Sequence, residues 1–388
     1  MDKYRKEGIP IFSWCKNIEE SALQQIDNLS KLPFAFHHIA IMPDCHSGYG
    51  MPIGGVLATQ NVVIPNAVGV DIGCGMCACK TPLTDITQDE IKNIFGMIRK
   101  NIPVGFDHRE TNEYTDSMPI MFQNNLPVCK SEFGSAIRQL GTLGGGNHFI
   151  EIQKGSDGYV WIMIHSGSRN LGKKVCDYYN GEAKAMNKLW FSCVPKEADL
   201  AFLPLDTNIG QDYLAEMKYC TEFAFQNRKI MMDIIKDIFR ESKLLDESPE
   251  DFDKMINIHH NYAAYENHYG KNVLVHRKGA TMAREGTIGI IPGSQGTSSY
   301  IVEGLGNPES FMSCSHGAGR KMSRTKAQNE LNLEDEIKKM EGIVHGIRNK
   351  KDLDEASGAY KDIFSVMDQQ KDLVKILVEL KPLGVIKG

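Results

Sequence analysis

No stretch of this 388-residue sequence approaches the ~18 apolar residues that a membrane-crossing helix needs. Its first residues, MDKYRKEGIPIFSW, lack the apolar core of a secretion signal. The expectation is a soluble, cytoplasmic protein without a membrane partner. A surplus of positive charge is also missing: 44 Lys and Arg stand against 49 Asp and Glu, a net charge of −5. Any basic groove must therefore be local. There are no low-complexity tracts and no internal repeats. No Pro/Gly/Ser-rich linker divides the chain, so residues 1–388 read as one domain, with 41% hydrophobic residues to fill its core. The ten cysteines are scattered. Without a secretion signal they read as thiols rather than disulfides, some of them available as ligands.

Glycine, by contrast, is plentiful, and short apolar runs stop in glycine-rich loops. HHIAIMPDCHSGYG stops after Met42 and VVIPNAVGVDIGCGM stops twice. YVWIMIHSGSRNLG stops at His165, NVLVHRKGAT at His276 and IGIIPGSQGTSSY at Pro292. Buried strands that deliver polar residues into loops are a common way to build an active site. Helices are expected where apolar residues recur among polar ones. TQDEIKNIFGMIRK opens with Thr87 and Glu90, a capping-box spacing. The stretch 210–243 keeps a helical apolar pattern over many turns without proline, and 333–344 reads as a further helix. No regular helical spacer separates the strands. The pattern predicts an α+β fold rather than a doubly wound sheet.

VDIGCGMCACK places Asp71 three residues before Cys74 and adds Cys77 and Cys79. A zinc ribbon needs a second C-x-x-C, and a thioredoxin-like site needs a βαβ pattern; both are missing. Asp71 and Cys74 make a better partial metal site, because a thiolate can bridge two cations and a carboxylate can hold one. An inert buried cysteine beside a turn is the competing account. In GTLGGGNHFIE three glycines precede Asn147 and His148, where backbone N–H groups can approach a phosphate. His148 is a candidate ligand and Glu151 a candidate acceptor, although a glycine turn entering a strand explains the same letters. His165 stands at the mouth of a strand, with Arg169 four residues on and able to fork onto phosphate. In NIHHNYA the adjacent side chains of His259 and His260 diverge, so one serves a site and the other packs. IPGSQGTSS offers Ser294, Ser299 and backbone amides without the Lys-Ser/Thr pair of a P-loop; a hairpin turn is the alternative. Three histidine-bearing loops and an Asp-x-x-Cys loop can together supply two nearby metal ions.

MSCSHGAGRKMSR sets His316 among small residues, with Arg320, Lys321 and Arg324 behind it. Imidazole attacks phosphorus readily and leaves it readily. Gly317 and Gly319 give access, and Arg320 and Arg324 can neutralise phosphate charge. A general-base role competes, and the loop alone leaves both open.

Taken in order, HIAIMPDCHSGYGMPIGG, GVDIGCGM, LGGGNHFIE, HSGSRNLG, HHNY, HRKGA, IIPGSQGTSSY, CSHGAGRKMSR, AYKDI and VIKG resemble the RtcB family of RNA-splicing ligases over nearly the whole chain. The resemblance implies that His316 attacks the α-phosphate of GTP. It also implies that Asp71, Cys74, His148, His165 and His260 hold two manganese ions, with Cys74 shared. Nucleotide contacts carried over with it are Asn147, His148, Phe149, Ile150, Glu151, His260, Asn261, Pro292, Gly293, Ser294, Gln295, Ser299, His316, Gly317, Ala318, Gly319, Tyr360 and Lys387. The implied substrates are RNA ends bearing a 3′-phosphate or 2′,3′-cyclic phosphate and a 5′-hydroxyl, joined in tRNA splicing or RNA repair. An archease-type activator is a further candidate partner.

Two features depart from the family pattern. Cys45 stands where relatives more often carry an aliphatic residue, and the region 101–139 is shorter than in many of them. Neither touches the chemistry; both bear on which RNA is used. Two other functions compete: a metal phosphoesterase limited to cyclic phosphates, and a non-ligating RNA end-binding protein. Lys387, next to last, is by position an ordinary solvated charge; the resemblance instead sends it to the guanine.

Overall fold

The short apolar runs become strands, and most of them collect in two sheets. The computed structural model describes residues 1–5, 7–121, 126–244, 252 and 254–388. A seven-stranded antiparallel sheet runs in the order Met255–His259, Gly75–Lys80, Val160–Ser166, Phe149–Gly155, Val374–Lys387, Ser299–Gly304 and Ile288–Ile291. A six-stranded sheet runs Asp2–Tyr4, Ile11–Ser13, Ala35–His46, Ile53–Thr59, Lys271–Lys278 and Asn261–His268. Its second and third strands are parallel and the rest antiparallel. Largely antiparallel sheets with separately packed helices make the fold α+β, as the pattern predicted.

Side-chain alternation sorts the larger sheet into two faces. Ile150, Ile152, Ile162, Ile164, Cys77 and Cys79 form one core with Ile91, Phe95 and Ile98 of the helix Gln88–Asn101 and Met231, Ile235 and Phe239 of the helix Asn208–Glu241. Met76, Phe149 and Met163 lie in a separate core on the other face. Phe149 pairs in register with His165 on one side and with Lys387 on the other. The three side chains therefore share that face, and the functional site is built there.

Helix Gln88–Asn101 starts as expected: Thr87 and Glu90 exchange side-chain and main-chain hydrogen bonds in a reciprocal capping box. The long helix runs Asn208–Glu241, capped by Thr207. The helix expected over 333–344 stops at Lys339. Gly342 adopts a φ of 84°, and Val344 gives its N–H to Leu383 and accepts from Val385. Pairing with the Val374–Lys387 strand satisfies those main-chain groups, and the helix cannot compete for them. His276 does not end its strand either. It is fully buried inside Lys271–Lys278, where its Nε2 accepts the Ile64 N–H. The ten cysteines, all among the described residues, form no disulfide. No helix of the described residues is long and apolar enough to cross a membrane.

Candidate active site

Four loops bring the donor side chains together. Asp71 and Cys74 come from the turn before Gly75–Lys80, tightened by a bond from the Cys74 N–H to the Asp71 carbonyl. His148 immediately precedes Phe149–Gly155, and His165 lies near the end of Val160–Ser166. His260 joins Met255–His259 to Asn261–His268, with its N–H on the Cys74 carbonyl at 2.9 Å. Cys74 Sγ lies 3.2 Å from His165 Nε2 and 3.6 Å from His148 Nε2. Asp71 Oδ2 is 3.3 Å from that same His148 nitrogen. The His260 ring packs 5.2 Å from the ring of His165. Among the described residues Cys74, His148 and His165 bring their ligand atoms within 4.8 Å of one another, with Asp71 beside His148 and the His260 ring beside that of His165.

Their hydrogen bonds fit ligation. His148 and His165 turn Nδ1–H to the carbonyls of Leu143 and Asn147, at 3.0 and 3.1 Å. Each Nε2 keeps its lone pair, toward Cys74. Among the described residues His260 Nδ1 is buried without a hydrogen-bond partner, a nitrogen that an ion would satisfy. Burial drives His165 and His260 well below the usual histidine range. Burial, reinforced by the Asp71 charge, pushes the Cys74 thiol well up; a bound cation would supply the opposite field. Burial also opposes ionisation of Asp71; a proton on His148 Nε2 or, in its place, a bound cation would offset that cost. A thiol, three imidazoles and a carboxylate suit a divalent first-row metal.

His316 follows the short strand Ser313–Ser315, and its ring lies 4.8 Å from that of His260. Its Nδ1–H donates to Asp44 Oδ2 at 2.6 Å, and its main-chain N–H donates to the same oxygen at 3.1 Å. Asp44 is fully buried in Ala35–His46, where the register with Ile53–Thr59 breaks between Ile41 and His46. With the proton on Nδ1, Nε2 carries the lone pair. Gly319 allows the close approach: its φ is 74°, and a Cβ there would sit 2.2 Å from the Asp44 carbonyl oxygen.

A cavity of about 180 Å³ opens beside His316, lined by Asn147, Phe149, Glu151, the loop 292–295, the loop 316–320, Arg324, Glu355, Tyr360 and Lys387. Lys387 is held within its strand, and the next N–H, that of Gly388, bonds the His148 carbonyl at 3.1 Å. It is therefore not a frayed charge. Burial pushes Glu151 up to about 8, against the pull of Lys387. Glu355 accepts from Arg320 Nη1 and Arg324 Nε, both at 2.6 Å, and from the Tyr360 hydroxyl. Its burial alone would favour the neutral acid, yet Lys387 and Arg320 hold it ionised.

Not every expected residue points into this cavity. Ile150 faces the helical core, leaving only its main chain on the strand that lines the site. Asn261 ties the Asp71 carbonyl to the Gly279 N–H, and Ser299 accepts from Gln153 and from the Gly293 N–H. Both hold the loops that line the site. Arg169 bonds Gly105 O and Thr142 Oγ1, packed against Gly144, where any Cβ would clash with its guanidinium. His259, the diverging neighbour of His260, accepts from Arg228. Cys77 and Cys79 face the helices, and Cys45 is buried beneath the six-stranded sheet with Cys15. Sequence reasoning misses Asp44, His46 and Glu355. A carboxylate inside an apolar strand is the available signal for Asp44; Glu355 has none.

The family model described as tRNA-splicing ligase RtcB matches residues 25–131 and 119–388. The RNA-splicing ligase RtcB of Escherichia coli strain K12 is 39% identical over 408 residues, covering 98% of this chain and 98% of that one. The RNA-splicing ligase RtcB homolog 1 of Entamoeba dispar is 33% identical over 443 residues, covering 95% and 82%. The tRNA-splicing ligase RtcB of Methanococcus maripaludis is 31% identical over 447 residues, covering 96% and 92%. The matched segments span every loop that converges on His316 and Cys74, and the chain belongs to the RtcB family.

Proposed function

We propose that this chain is an RNA ligase of tRNA splicing or RNA repair, joining RNA 3′-phosphate ends to 5′-hydroxyl ends at the expense of GTP. The observation that carries this reading is the Asp44–His316 pair, which presents a lone-pair Nε2 between the Cys/His cluster and a glycine-lined cavity. His316 Nε2 attacks the α-phosphorus of GTP; an N–P bond forms and pyrophosphate leaves. An oxygen of the RNA 3′-phosphate then takes the GMP, breaking the N–P bond and freeing His316. The RNA 5′-hydroxyl attacks the activated 3′-phosphorus, GMP departs and the hydroxyl proton is lost to solvent or a nearby base. A 2′,3′-cyclic phosphate is first opened to the 3′-phosphate by water.

Asp71, Cys74, His148, His165 and His260 would hold two manganese ions, which when bound neutralise phosphate charge and position attacking oxygens. Asp44 fixes the tautomer of His316. Lys387 offers its ammonium to the guanine O6 and N7 acceptors, where adenine would present a donor instead. Arg320 and Arg324 are the nearest cations for the triphosphate, and both must share or release Glu355 to reach it. Incubation with α-labelled GTP and manganese, followed by a denaturing gel, tests the reading. The protein should take acid-labile label, lost in His316→Ala, and should join RNA ends. Label that survives His316→Ala removes the nucleophile assignment. Cyclic-phosphate opening without label would identify a phosphoesterase, and neither activity an end-binding protein.

A further inference from the structure

Gln88, Lys92, Phe95 and Arg99 recur at helical spacing on one face of Gln88–Asn101. Opposite them the segment Ile343 to Arg348 closes a cavity of about 360 Å³, separate from the one beside His316. Buried Phe95 and Val385 line it, giving it an apolar base. Among the described residues no Asp or Glu lines it, whereas Lys92, Arg99, His345 and Arg348 all do. Two carboxylates stand at its rim and touch lining residues. Asp89 pairs with Lys92 on the exposed surface at 2.8 Å, a contact of small net worth. Asp352 accepts the main-chain N–H groups of Arg348 and Asn349.

Lys92, Arg99 and Arg348 are exposed, and two of the donors, His345 and Arg348, are oriented by bonds to the main chain. Gln88 Nε2 pins the facing segment through the Gly342 carbonyl at 3.0 Å. Arg348 gives one nitrogen to the Ile347 carbonyl at 2.8 Å, leaving the rest of its fork for a ligand. His345 Nδ1 accepts the Ile347 N–H at 3.2 Å, so Nε2 carries the ring proton and is a donor without a net charge. Burial and the Arg348 charge both disfavour a second proton on His345, a repulsion that an anion would relieve.

We propose that this cavity is a second phosphate site, which takes a backbone phosphodiester of the RNA strand whose end reacts at His316. Val385 is two residues, or roughly 7 Å of strand, from Lys387 in the reaction pocket. Helix Gln88–Asn101 covers the other face of the sheet, so the RNA strand would pass round the strand edge, where Val344 pairs with Gly384, to join the two sites. The identity of the strand rests on the RNA-ligase reading; the phosphate chemistry does not.

The test uses equilibrium binding of a fluorescent single-stranded RNA with blocked ends, without GTP or metal, over a series of salt concentrations. Arg99→Gln/Arg348→Gln should bind roughly three- to tenfold more weakly at low salt, with the salt slope reduced by about 0.7 for each phosphate left without its cation. Lys100→Gln removes a charge from the same helix but not from the cavity lining, and should leave the slope near native. Inorganic pyrophosphate, titrated by calorimetry, separates the sources. If the double variant loses pyrophosphate binding but keeps the RNA slope, the site takes a free anion and the RNA assignment is overturned. Native slopes together with native pyrophosphate binding overturn the site altogether. Guanylylation of the same proteins keeps the two proposals apart. A reduced slope with no label in any variant removes the ligase reading and leaves the site standing; normal label with equal slopes and native pyrophosphate binding removes only the site.

Discussion

Asp44→Asn isolates the hydrogen bond on which the chemistry proposed for His316 depends. The carboxylate is fully buried and accepts both N–H groups of His316 through one oxygen. Asparagine keeps the shape and removes the charge. Either its oxygen still accepts the Nδ1 proton, or its NH₂ faces the ring and forces the proton to Nε2, where the lone pair is needed. A hydrogen bond to a charged group is worth ~1.5–3 kcal/mol, which converts to a loss of roughly 10- to 150-fold. The assay is single-turnover guanylylation with α-labelled GTP. The rate constant at saturating GTP should fall by that factor while the half-saturating GTP concentration changes little. Joining of a chemically prepared RNA with an activated 3′ end should be unaffected, because His316 has left the reaction by that step. Folding should survive, because an asparagine of the same shape can still accept from the His316 main-chain N–H and leaves no opposite charge buried without its partner when the His316 ring carries a single proton. A native guanylylation rate, or an equal loss in the joining of pre-activated RNA, refutes Asp44 as the group that positions His316.

The remaining predictions concern metal, base and proton. Cys74→Ala should remove both metals by elemental analysis, since Cys74 Sγ lies between His148 and His165; Cys77→Ala, turned to the helical core, should keep them. Lys387→Ala should weaken guanylylation at sub-saturating GTP by roughly ten- to a hundredfold and narrow the preference over ATP; equal rates with the native protein discard the guanine contact. For Glu151, with its folded value near 8 and an unfolded value near 4.5, the native state holds the extra proton between those values. The group therefore stabilises below about 4.5, and that contribution is lost as pH rises toward 8. Glu151→Gln should gain on the native protein across that window, by at most ~1.4 kcal/mol per pH unit; parallel pH–stability curves would falsify the shift.

Much of the site is legible because its residues stand next to glycines at strand ends, and the motifs keep their order. Asp71, Cys74, His148, His165 and His260 converge, and Phe149, Glu151 and Lys387 share a face through strand register. What escapes is tertiary. The helix Arg169–Leu189 shows itself only as the loop after His165, although Leu171, Val175, Tyr179 and Ala183 recur at four-residue spacing and are buried. Val344 sits in a segment of helical composition, but its main chain pairs with a strand some forty residues further along. Glu355 acquires meaning only when folding sets it against Arg320, Arg324 and Tyr360. In sequence it is one acid among the residues of KKDLDE.

Burial does one further thing for the chemistry. His46, His165 and His260 surround His316 and line or adjoin its pocket. Desolvation lowers His46 to about 4 and His165 and His260 well below the usual range. At neutral pH these rings hold no second proton, so they repel neither a cation bound by the cluster nor a neutral nucleophile beside them. His316 differs in having a buried carboxylate on Nδ1. In the proposed reaction that contact would stabilise the positive charge the ring would acquire when Nε2 bonds phosphorus. The same low-dielectric pocket therefore disfavours a second proton on His46, His165 and His260 while giving one imidazole the counter-charge that the proposed phosphoramidate would require. The difference between them is one residue, Asp44, on a strand from the other sheet.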